Sequence, residues 1–145
     1  MRRVLAVLIL VIGSSAVSLA QKGLGINRIF EGEIVPKDQI TETYVKGSDL
    51  EEYDLTLFRS LKIMCTTYQA ASIDRIVSLD GKINTFSKEE KIEGGVLCFA
   101  FYQFPAKNSI NRYMLYQRNG NNIKLVYIEG RASKEKLEQM FKKSN

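Results

Sequence analysis

The sequence predicts an α+β fold: two layers, with about five mainly antiparallel strands in one sheet and two helices on one of its faces. Three observations predict it. Runs rich in β-branched and aromatic residues recur at 40–45, 55–64, 96–104, 111–118 and 123–129. Two segments, beginning at 66–67 and at 133, instead place apolar residues at i, i+3 and i+4. The last three strands follow one another with short links, which implies an antiparallel meander.

Met1-Arg2-Arg3, the apolar run 4–12 and the small residues Ser18 and Ala20 read as a signal peptide over 1–20, cut before Gln21. The apolar run is about half the ~20 residues that span a bilayer. Residues 21–145 then form a single domain, which their length suits. Loss of Arg2 and Arg3 leaves 19 Lys+Arg against 16 Asp+Glu, a net charge of +3. That excess is too small to argue for nucleic acid. No later stretch is long and apolar enough to span a membrane.

Ile26, Ile29 and Phe30 predict one helical turn docked on the core, ended by Pro36. Residues 40–45 read as an edge strand. In 48–64 a helical stripe competes with strand alternation; the reading adopted is a capped turn over 48–53 and a strand from about Leu55 to Met64. Thr66 or Thr67 caps a helix with Ala70, Ile73, Ile76 and Val77 inward and Asp74 outward, and Gly81 after Asp80 suits its C-terminus. Residues 87–91 read as an exposed charged loop. The apolar run 96–104 predicts a central strand with both faces covered, stopped by Pro105. Asn119-Gly120 with Asn121-Asn122 predicts a hairpin turn. Ser133 caps a last helix that docks through Leu137, Met140 and Phe141.

Chemistry is sparse. With no His, the commonest general base and zinc ligand are missing. No phosphate loop, nucleophile elbow or calcium loop is present, and neither a cofactor nor a metal is expected. Asp54 and Asp80 read as turn residues. Cys65 and Cys98, 33 positions apart, form either a disulfide, which an exported protein allows, or two buried thiols. The most suggestive surface is the last hairpin. Arg112, Met114, Tyr116 and Arg118 share a face by parity, and Tyr127 and Glu129 join them across the turn. If that face is open, two Arg beside a Tyr suit a carboxylate, a phosphate or a sugar; the plainer reading is cross-strand pairs that stabilise an outer face.

The motifs Leu50-x-x-Tyr53-x-Leu55-Thr56-Leu57-Phe58-Arg59-Ser60-Leu61, Phe101-Tyr102-Gln103-Phe104-Pro105, Asn111-Arg112-Tyr113 and Tyr127-Ile128-Glu129-Gly130, with Ala20-Gln21, resemble a family of small exported Bacteroidales proteins of unknown function. The resemblance implies a Gram-negative periplasmic or secreted location and favours a strand over 55–64; it implies no activity, cofactor or site residue. The function expected is a non-catalytic binding module of the cell envelope, with an envelope protein or small ligand as partner. The alternatives are an envelope hydrolase using Asp/Glu or Ser/Lys, and a structural assembly subunit.

Overall fold

The computed structural model describes Gln21 and residues 23–144; the signal-peptide segment 1–20 lies outside the described residues. The fold is α+β, with one open antiparallel sheet of six strands. The elements are α1 (Asn27–Phe30), β1 (Ile40–Lys46), a 3-10 turn (Ser48–Tyr53), β2 (Leu55–Met64), α2 (Thr67–Ile83), β3 (Ser87–Glu93), β4 (Val96–Lys107), β5 (Ile110–Asn119), β6 (Asn122–Gly130) and α3 (Lys134–Ser144). The spatial order is β1-β2-β6-β5-β4-β3. The meander therefore has four strands, and β2 closes onto its last member. No described helix is long and apolar enough to cross a membrane.

The sixth strand is β3, the segment expected to be a charged loop. Its residues Ser-Lys-Glu-Glu-Lys-Ile-Glu are almost all exposed, so they carry no hydrophobic period. Gly94 and Gly95 both adopt positive φ, 57° and 77°, which a tight hairpin turn requires and which folds β3 back onto β4. Pro105 does not stop β4, which runs on to Lys107 past an irregularity between Phe104 and Lys107. A break in register permits a proline within a strand.

Helices lie on both faces of the sheet, not on one. One core joins Leu57, Leu61, Met114, Tyr116, Leu125 and Tyr127 to Ala70, Ile73 and Val77 of α2 and to Ile26, Ile29 and Phe30. The other joins Phe58, Phe101, Tyr113, Leu115, Val126 and Ile128 to Leu50 and Tyr53 of the 3-10 turn and Leu137 of α3. Successive strand residues point to opposite faces, so the odd and even sets of β5 and β6 need separate covers. The apolar residues of β2, β4, β5 and β6 are too many for one cover. A sequence pattern that alternates between two apolar sets marks a sheet buried twice.

The caps follow the sequence. The Thr66 hydroxyl accepts from Gln69 N, and the Gln69 side chain accepts from Thr66 N, a complete capping box. Ser133 Oγ accepts from Lys136 N at 3.2 Å. The turn at 48–53 forms without a side-chain cap.

Gly81 does not end α2, which continues through Ile83. Its role is contact: a Cβ there would overlap the phenol of Tyr102 on β4. Asp80, expected in a turn, is buried on the same helix. It accepts from Gly25 N and Ile26 N, both at 2.8 Å, and from the Asn84 side chain. These bonds pin the N-terminal segment to α2. Gly81→Ala is expected to destabilise the protein by about 1–3 kcal/mol through overpacking, as read by urea unfolding.

Candidate functional site

Parity placed Arg112, Tyr116, Arg118, Tyr127 and Glu129 on one face, and the register agrees: Arg112 pairs with Glu129, and Met114 with Tyr127. That face is not open, because α2 and the N-terminal segment cover it. Tyr116 and Tyr127 are fully buried, and Arg112 and Glu129 nearly so. The residues divide into two clusters. At one end Tyr127 donates to Glu129 Oε2 at 2.6 Å, while Arg112 Nε donates to the Pro105 carbonyl at 2.8 Å and its guanidinium lies over Phe104. At the other, Tyr116 Oη lies 3.4 Å from Asp74 Oδ1, and Arg118 donates to the Gly120 carbonyl and faces Asp74 at 4.0 Å. Asp74 thus points at the sheet, not outward. The two Arg stand at opposite ends of β5, where their long stems reach local partners. The arrangement stabilises the sheet, and of these five residues only Arg118 reaches a surface groove.

Arg59 on β2 was not singled out from sequence, yet it is the most enclosed charge of the described residues, with no solvent exposure. Glu42 Oε2 accepts from its Nε at 2.9 Å and lies 2.8 Å from Nη2 as an ion pair, and Gln21 Oε1 accepts from Nη1 at 3.0 Å. The rings of Phe30 and Tyr44 lie 4.6 and 5.2 Å from its guanidinium carbon. A single Arg inside an alternating strand gives no hint from local sequence that its partners are 17 and 38 positions away.

The open surface is on the opposite face. There a groove of about 1000 Å³ is floored by one cross-strand row, Thr41–Lys62–Lys124–Gln117–Phe99–Lys91, which crosses all six strands. Lys62 and Lys124 are directly opposed on β2 and β6. Directly opposed residues have Cβ atoms about 4.5–5.5 Å apart, and like charges so placed destabilise a sheet. Both are exposed, and neither joins an ion pair among the described residues. Lys91, by contrast, is paired with Glu93 at 3.3 Å. Arg118 reaches the groove rim. The half-buried Phe99 packs against the second core. The groove therefore sets the Lys62–Lys124 couple two strands from the apolar Phe99, with the Lys91–Glu93 ion pair beyond it.

Cys65 and Cys98 are free thiols. Cys65 follows β2 and Cys98 sits on β4, so three strand spacings separate them, roughly 14 Å, twice the reach of a disulfide. Cys98 occupies the extra position where Lys91 pairs with Phe99 and Ile92 with Leu97; its Sγ lies 3.3 Å from the Lys91 carbonyl. Cys65 packs on the first core, and burial pushes its thiol above the usual range.

The model of a family of unknown function, DUF6108, matches residues 14–141. The chain belongs to that family. No curated protein and no solved structure is a match. For this DUF6108 member the family supplies no activity, so the site must be read from its own geometry.

Three expectations follow. Arg59→Ala, which strips the cation from Glu42 and Gln21, should cost about 3–5 kcal/mol, read by denaturant unfolding. Lys62→Glu should raise stability by about 0.2–1 kcal/mol, since it turns a like-charge pair into an opposite one, and a small rise in Tm would register it. Burial pushes the phenols of Tyr102, Tyr116 and Tyr127 well above their usual value, helped by Glu90, Asp74 and Glu129 respectively. The folded state keeps protons that the unfolded chain releases near pH 10, so stability holds below about that pH and falls above it. Their phenolate absorbance should appear only as the β-sheet circular dichroism disappears.

Proposed function

We propose that this protein is an exported, non-catalytic binding domain of the cell envelope, and that it takes an anionic ligand on the Lys62–Lys124 pair. The observation that carries the reading is the direct opposition of two exposed lysines on neighbouring strands, on the part of the sheet face that α3 leaves uncovered. An uncompensated like-charge pair costs stability in the free protein. A bound carboxylate or phosphate removes that cost and gains two charge-assisted hydrogen bonds. The groove's lining suits binding more than hydrolysis: Glu93 is its one carboxylate, held by Lys91. Export is supported by the leader-like pattern over 1–20.

The test is a titration of residues 21–145 with sodium acetate, inorganic phosphate and citrate at constant ionic strength, followed by amide and lysine side-chain NMR shifts. Saturable shifts at Lys62 and Lys124, lost in Lys62→Ala/Lys124→Ala with Tm preserved, are expected. Shifts that scatter over all surface lysines, or that survive the double variant, would remove the groove from consideration.

A further inference from the structure

We infer that the ligand is an amphipathic anion: one carboxylate or phosphate head on a medium-length hydrocarbon body. This deepens the reading of the Lys62–Lys124 groove and rests on it. The head and the body are assigned by the same cross-strand row. From Lys124 the row passes Gln117 on β5 and reaches Phe99 on β4. Two strand spacings separate Lys124 from Phe99, about 10 Å. Phe99 is where the second core comes to the surface: it packs against the cluster that holds Phe101 and Leu115 and is only half covered. A second apolar side chain, Met64, is 80 % exposed beside Lys62. Exposed apolar surface is normal when scattered. Here it flanks an unpaired cationic couple inside one groove of a size that holds a small organic ligand. A small hydrophilic anion uses the lysines and leaves Phe99 wet. An acyl or aryl body lying across Gln117 covers Phe99 and satisfies both ends.

The experiment compares acetate, octanoate, decanoate, dodecyl phosphate and the neutral decanol, each below its aggregation limit, by calorimetry on residues 21–145. Decanoate should bind more tightly than octanoate by about tenfold, the gain for two more buried methylenes. Phe99→Ala should erase most of that chain-length dependence and leave acetate binding intact, while Lys62→Ala/Lys124→Ala should weaken every anion and leave decanol unchanged. Equal affinity for acetate and decanoate, with the lysines still required, overturns the amphipathic ligand and leaves the anion site standing. Binding of no anion overturns both. Decanol bound as tightly as decanoate overturns the role of the head. Carboxylate against phosphate preference distinguishes a fatty acid from a phosphate ester. Sedimentation with phosphatidylglycerol vesicles without capture of monomeric decanoate also overturns the inference, because it assigns the lysines to a lipid surface. A thermal melt of each variant separates lost binding from lost folding.

Discussion

A guanidinium without access to water must find its partners in the protein, and Arg59 does so by gathering three separate pieces of chain. Glu42 comes from β1, Gln21 from the start of the described chain, Phe30 from α1 and Tyr44 from β1 again. Removing one partner leaves an uncompensated charge in the interior, so the segments hold one another in place. The buried Asp80 repeats the logic with the opposite sign, tying Gly25 and Ile26 to α2. Together these two charges close the first face of the sheet with a segment that has almost no regular secondary structure. That closure explains why the hairpin residues Arg112, Tyr116 and Tyr127 are structural.

The second face is closed by different means and only in part. Leu50 and Tyr53 of the 3-10 turn and Leu137 of α3 cover one end of it. The other end carries Lys62, Lys124 and Gln117. The same strands therefore pass once along their length from a packed interior to a cationic groove. A rigid sheet is a good mount for such a groove, since the spacing of its side chains is set by backbone hydrogen bonds and not by loop conformation.

Much of the fold was legible because its signals are local. The strand from Leu55 to Met64, the Thr66 and Ser133 caps and the turn at Gly120 lie where turn chemistry and capping preference put them. β3 was not legible, because a strand exposed on both sides has no alternation to betray it. The family of unknown function was legible from short motifs over most of the chain. The groove was not. Parity tells which residues of β5 and β6 share a side, but not which side is covered; that depends on where α2 and α3 land. Lys62 and Lys124 stand sixty-two positions apart and meet only because β2 closes onto β6. No pattern in a single sequence announces that pairing.

The outermost strand at the β3 side has a bearing on how the molecule behaves in company. Its backbone offers unsatisfied donors and acceptors along a free border, the usual template for uncontrolled chain-to-chain pairing. Its side chains alternate in charge along each side, with Lys88 near Glu90 and Lys91 near Glu93. A neighbouring copy that docked there in parallel would set like charges beside one another, and a hydrophobic strand would strip those ions of water for nothing in return. The sheet thus carries, at this border, charged side chains of the kind that oppose a further strand.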